Sequence, residues 1–322
     1  MSKKKIVVIV LVPLLLLFLL FYIRMSSTGA YRTNQIRQVS MIVYGSDSAR
    51  WENLRQGAEL ACENEDAELT LVTMSSEKNA QEQIELIQRE VAGGADALLI
   101  AACDSVALGE YIADSGISIP VVFVENAVDT QGKVNCVSAD DYQMGVAIGQ
   151  EIMARENPIV KVAIISDGTQ RGSVQSREQG LRDTIEPYVS RIVTWKRYEN
   201  EENMLTRKFL QRAMLEEAVD VVVALDNDTA DALMEALDNL NRKTKVYAIS
   251  TSSESVYYLD QRKIKALEYQ EEYGIGYIGA QMILNEKDAL KKYSADDIKY
   301  RVVNHDNMYE EENQTLLFPF VQ

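Results

Sequence analysis

Six times in this 322-residue chain a short apolar run stops and hydrogen-bonding side chains follow at once. VSMIVY (39–44) is followed by Ser46, Asp47, Arg50 and Trp51, and IPVVFV (119–124) by Glu125 and Asn126. IVKVAII (159–165) runs through Ser166 into the polar loop DGTQRGSVQSREQG, which carries Arg171, Gln175 and Arg177. VDVVVAL (219–225) leads to Asp226, Asn227 and Asp228; TKVYAI (244–249) to Ser250, Thr251 and Ser252; KIKALEY (263–269) to Gln270. Carboxylates, guanidinium groups, amides and hydroxyls in one cleft suit recognition of a small polyhydroxylated or zwitterionic ligand. Bond-breaking chemistry has less to work with. The chain has no G-x-S-x-G, no P-loop and no His–Cys pair, so no catalytic residue, metal or cofactor is expected. Carboxylates such as Glu125 and Asp226 are the candidates that an enzyme would have to use.

Each position has a plainer explanation beside the functional one. Asp226, Asn227, Asp228 and Ser250 to Ser253 stand where helix N-caps belong. Trp51, between Arg50 and Glu52, either stacks on a ligand ring or folds onto its helix as core. GIGYIG (274–279) fits G-x-G-x-x-G, but Gln270 to Tyr273 separate it from the strand and two carboxylates would repel a pyrophosphate, so close helix packing explains these glycines. Asp226, Asp228 and Asp231 have the spacing of a calcium loop without its glycine. Cys62, Cys103 and Cys136 read as small buried hydrophobes, and the single His305 has no metal-binding companion.

The elements that must position these residues alternate. Between the apolar runs, which also include ELTLVTM (68–74) and ADALLIAA (95–102), lie amphipathic stretches at 50–64, 79–92, 105–115, 140–155, 173–186, 201–217, 227–240 and 272–286. Runs this apolar predict strands buried on both faces of a parallel sheet, and the alternation predicts doubly wound α/β structure. There are too many strands for one ordinary sheet. The rhythm restarts near Val134–Asp141 with no Gly/Ser/Pro-rich linker, as two Rossmann-like lobes joined by short crossings would require.

The N-terminus is of another kind. MSKKK is followed by IVVIVLVPLLLLFLLFYI (6–23), uncharged and close to the ~20 residues that cross a bilayer. Its length favours a retained signal anchor over a cleaved signal, and the lysines place the N-terminus inside and the rest of the chain outside the cell membrane. Residues 25–38 read as a stalk. The formal charge is −16, and setting aside Lys3, Lys4, Lys5 and Arg24 leaves −20 on residues 25–322, which disfavours nucleic-acid partners.

The order and spacing of VYGSDSARWENLRQGAELAC (43–62), NAQEQIELIQREVAGGADALLIAACDS (79–105), IPVVFVEN, VSADDYQMGVAIGQ (137–150), SREQGLRD (176–183), VVVALDNDTADALMEAL and LEYQEEYGIGYIGAQ (267–281) resemble type I periplasmic binding proteins of the ribose/galactose class, related to the effector domains of lac-type repressors. The resemblance covers residues 38 to 304. It implies two lobes joined by a three-crossing hinge, 39–140 with 271–300 and 141–270 with 301–322, closing on a ligand. Carried over residue by residue, it implies a ligand site of Asp47, Arg50, Trp51, Glu125, Asn126, Gln175, Asp226, Ser250 and Gln270. Arg50 replaces an aromatic of the ribose pattern, Glu125-Asn126 replaces Asp-Arg, and Ser250 replaces Asp, which points away from ribose itself. The expected protein is an extracytoplasmic, membrane-tethered binder of a sugar or similar metabolite. It would serve an ABC importer or, alternatively, present its ligand to a sensor kinase; an enzyme on this fold is the remaining alternative.

Overall fold

The computed structural model describes residues 37–128, 130, 134–166, 168–197, 204–240, 243–293 and 297–318. The expected membrane span at 6–23, nearly all of the stalk and the last four residues lie outside them. Among the described residues no helix is long and apolar enough to cross a membrane.

The first sheet has the order β2-β1-β3-β4-β5, built from β1 (Arg37–Val43), β2 (Ala67–Thr73), β3 (Ala97–Ile100), β4 (Val121–Val124) and β5 (Asn135–Val137). The pairs β1–β3, β3–β4 and β4–β5 are parallel. The second sheet has the order β11-β10-β9-β8-β6-β7, from β6 (Lys161–Ser166), β7 (Arg191–Lys196), β8 (Val221–Ala224), β9 (Lys245–Ile249), β10 (Ile264–Gln270) and β11 (Tyr300–Val303). It is parallel except for β11, which runs antiparallel to β10 with Leu267 opposite Val303. The fully apolar runs are the central strands: all four residues of β3 and of β8 are buried. Helices on both faces remove these strands from water, and that burial drives each lobe together.

The helices are α1 (Glu52–Asn64), α2 (Ala80–Gly93), α3 (Ser105–Asp114), α4 (Asp141–Arg155), α5 (Gly172–Ile185), α6 (Thr206–Glu216), α7 (Asn227–Leu240), α8 (Ser253–Asp260), α9 (Glu272–Leu284), α10 (Glu286–Lys292) and α11 (Glu311–Leu317). Several begin at a side-chain cap. Asn79, Asp104, Asp140 and Ser252 each accept a hydrogen bond from a backbone N–H in the first turn of α2, α3, α4 and α8. The strands β5, β7 and β11 and the helices α8, α10 and α11 have no counterpart in the sequence-based elements. β7 is a half-exposed edge strand whose alternating RIVTWK lacks the continuous apolar run of its neighbours.

Two helix pairs cradle the cleft. In α1 and α9 a side chain at Gly57 would fall on the Tyr273 carbonyl, and one at Gly276 on the Leu54 carbonyl. The same reciprocal contact joins Gly145 of α4 to Arg177 and Gly180 of α5 to Tyr142. Of the glycines of GIGYIG, Gly276 thus serves backbone-to-backbone packing, while Gly279 makes room for the Val124 and Leu99 side chains. The chain passes between the sheets after β5, after β10 and between α10 and β11.

Candidate functional site

The carboxyl ends of β1 and β4 in one lobe face those of β6, β8, β9 and β10 in the other. Tyr44, Arg50, Glu125, Arg171, Arg177, Asp226, Ser250, Thr251, Glu268 and Gln270, with Met144, Val174 and Ile249, line the cavity between them. The space enclosed is about 10 Å³, room for roughly one water. The lobes are closed on it. Ser105 N donates to Gln170 O at 3.1 Å, and Gly172 N donates to Ser105 Oγ at 2.8 Å. The Ser173 hydroxyl bonds the Asn126 side chain, and the Thr251 hydroxyl bonds Glu272.

Ion pairs fill the interior. Arg50, on the single turn Ala49–Trp51, donates to Glu272 Oε1 at 2.7 Å and to Glu125. Glu125 also accepts from the Tyr44 hydroxyl at 2.8 Å and takes the left-handed backbone conformation, φ 65°, that turns β4 into the cleft. Burial pushes Glu125 up, but Arg50, Arg177, Arg171 and the Tyr44 bond together hold it below the usual carboxylate range. At Glu272 burial wins over Arg50, and its carboxyl is raised. Arg171 donates to Asp226 at 2.5 Å and lies 4.6 Å from the centre of the Tyr44 ring. Asp226 also accepts from Thr229 N at 2.8 Å, so it caps α7 and faces the cleft with one carboxylate. Arg177 donates to Asp141 at 2.8 Å and to the Leu225 carbonyl at 3.0 Å. Burial raises Asp141 to about 6 despite that partner.

This arrangement recognises polar atoms. Buried ion pairs on strand ends of two lobes give fixed donors and acceptors, and the described residues contain no metal-binding cluster. Residues 39–312 match the model of the periplasmic binding protein domain. The chain belongs to the periplasmic binding protein family. No curated protein sequence matches it. Among solved periplasmic binding proteins, a solute-binding protein from Agrobacterium vitis with bound D-fucose superposes with a TM-score of 0.77 at 19% identity, over 87% of this chain and 100% of its own. A carbohydrate transporter solute-binding protein from Agrobacterium radiobacter in complex with D-arabinose gives 0.75 at 20%, over 88% and 99%. The XylFII-LytSN complex gives 0.72 at 15%, over 84% and 98%.

Of the positions carried over from the ribose pattern, the structure brings Arg50, Glu125, Asp226, Ser250 and Gln270 to the cavity wall, with Asn126 buried directly behind it, donating to the Ala102 carbonyl at 2.9 Å. Three lie elsewhere. Asp47 is exposed and accepts from Ala49 N at 2.9 Å within its own turn. Gln175 is exposed in a separate groove between α3 and α5. Trp51 is wholly buried, its indole N–H donating to Tyr44 O at 3.1 Å and its ring packed edge-on to Tyr44 at 4.8 Å. The core alternative for Trp51 is therefore the one the structure displays: Arg50 covers its ring at 4.3 Å, and no open stacking face remains. In the polar loop it is Arg171 and Arg177 that face the cavity, because Gln175 falls on the outer side of α5. No sequence pattern marks Tyr44, Glu268 and Glu272 as site residues. Tyr44 and Glu268 lie inside apolar runs, and only the odd presence of Glu in LEY distinguishes Glu268.

Proposed function

We propose that this periplasmic binding protein is an extracytoplasmic, membrane-tethered solute-binding subunit that captures a sugar or similar small polar metabolite between its lobes for an ABC importer and releases it unchanged. The observation that carries this reading is the interlobe cavity walled by Arg50, Glu125, Arg171, Arg177, Asp226 and Gln270 at the strand ends of both sheets. The sugars named with the similar structures support it. A thermal-shift panel of monosaccharides, amino sugars, polyols and amino acids tests it. A ligand that binds only the folded state adds about 2.7 kcal/mol of stability at a hundredfold excess over Kd. A panel without any stabilising member argues against the reading, as does a chemically altered product formed over multiple turnovers. The tether rests on the uncharged segment 6–23. External protease applied to intact cells should digest the folded part, and recovery of the protein from the cytosol would refute the placement.

A second reading is that the closed lobes are presented to a membrane sensor kinase; it draws on the XylFII-LytSN complex, in which a protein of similar fold is held with a partner. Ligand-dependent co-purification with a kinase ectodomain supports it, and co-purification with a permease supports import.

A further inference from the structure

Three buried polar side chains face the cavity with atoms that have no hydrogen-bond partner among the described residues. They are both carboxyl oxygens of Glu268, Oε1 of Gln270 and Nη2 of Arg177. Glu268, Gln270 and Arg177 are only 0%, 3% and 4% exposed. Glu268 and Gln270 are two residues apart on β10, so they share the face opposite Leu267 and Tyr269, which pack into the other core. An unpartnered buried carboxyl is among the costliest groups a fold can carry.

The charges around the cavity are unbalanced in the same direction. Arg50 is paired with Glu125 and Glu272, Arg171 with Asp226 and, at 3.6 Å, Asp228, and Arg177 with Asp141. Glu268 is the sixth carboxyl against these three arginines. An anionic ligand would find one unpartnered donor, Arg177 Nη2, among six carboxyls. A ligand that brings a positive donor meets acceptors already in place.

We propose that the ligand of this cleft carries a protonated amine beside its hydroxyl groups, as an amino sugar does, with the ammonium donating to Glu268 and Gln270 and a ligand oxygen accepting from Arg177 Nη2. This rests on the cavity being the ligand site. The charged groups facing Glu268 are Arg177 from α5 and Asp141 from α4. Burial raises the Glu268 carboxyl well above its ordinary range, against Arg177 and with Asp141. The closed cavity holds about one water, and the lobes must part to admit a sugar-sized ligand.

The test is calorimetric titration of the full-length protein in detergent with glucosamine, galactosamine and mannosamine, their neutral parents glucose, galactose and mannose, and glucuronate. The expected result is that one amino sugar binds about tenfold or more tighter than its neutral parent, the effect of a charge-assisted buried hydrogen bond. Glu268→Gln, confirmed folded by its melting curve, should shrink that preference to about twofold. A neutral sugar binding as tightly as its amino counterpart, or glucuronate binding tightest, overturns the amine and leaves the sugar-binding reading standing. A preference unchanged in Glu268→Gln overturns the role of Glu268. Absence of binding by every sugar in the set overturns the amino-sugar class, and the general reading is then decided by the wider metabolite panel.

Discussion

Trp51 and Arg50 are neighbours in sequence with opposite environments. The indole is sealed in the core under Tyr44 and Arg50, while the guanidinium reaches two carboxylates in the cleft. Trp51→Ala should therefore act on the fold: a loss of about 3–5 kcal/mol in denaturant unfolding, with ligand affinity changing mainly through the folded fraction. A stable variant with selectively weakened binding would contradict this. Glu77 makes a prediction about pH. Burial, reinforced by Asp228 and opposed by Arg171 and Arg50, lifts its carboxyl to about 7 from 4.5. The folded state then holds a proton that the unfolded chain releases near 4.5, so this group's stabilising share is present below about 4.5 and falls as pH rises towards 7. Glu77→Gln should match the parent at pH 4 and exceed it by about 1–2 kcal/mol at pH 8, after allowance for its partial exposure. Denaturation midpoints at the two pH values test the sign. An equal or lower stability of the variant at pH 8 refutes it.

At the scale of elements, the site is held by two helix pairs in backbone contact. Helix propensity alone predicts that Gly276→Ala stabilises an interior helical position by about 1 kcal/mol. The packing predicts the reverse, because the added methyl would land on the Leu54 carbonyl of α1, a backbone atom that cannot step aside. A net destabilisation of about 1–3 kcal/mol is expected, read from the thermal midpoint. A stabilised variant would show that α1 and α9 are not in contact at this point. Since Arg50 precedes α1 and Glu272 opens α9, loosening this pair should also loosen the Arg50–Glu272 bond that closes one side of the cavity.

For the whole molecule the decisive variable is lobe closure. The hydrogen bonds across the mouth include Ser105 with Gln170 and Gly172, Asn126 with Ser173, Glu272 with Thr251 and Asn53 with Tyr269, and Arg171 lies over the Tyr44 ring. Each contributes about 1 kcal/mol net, so ligand contacts can tip the balance between open and closed. Gly172 sits where the lobes meet; a Cβ there would stand 2.7 Å from the Ala127 carbonyl and 3.0 Å from Ser105 Oγ. Gly172→Val should leave the ligand-free melting temperature within a few degrees and weaken ligand binding about tenfold or more, since the closed state then carries the clash. X-ray scattering should show a larger radius of gyration for the variant at saturating ligand. Unchanged affinity and dimensions would exclude closure as the binding step.

The sequence by itself determined the alternation of buried strands and amphipathic helices, the two-lobed α/β class, the caps at Asp226 and Ser252, and the strand ends as the place of the site. These follow from local rules: apolar runs seek both faces of a sheet, and short polar side chains satisfy the first N–H groups of the helix that follows. Which polar residues face the cleft was decided only in three dimensions. Gln175 and Arg177 are two positions apart on one helix and point to different surfaces, so small differences in phase exchange an exposed amide for a buried guanidinium. Glu268 sits within β10 and Tyr44 directly after the last residue of β1, where nothing local separates a cleft residue from a core residue; the opposite lobe makes that distinction. Trp51 could have stacked on a ligand or filled the core, and the packing of Tyr44 and Arg50 around it selected the core.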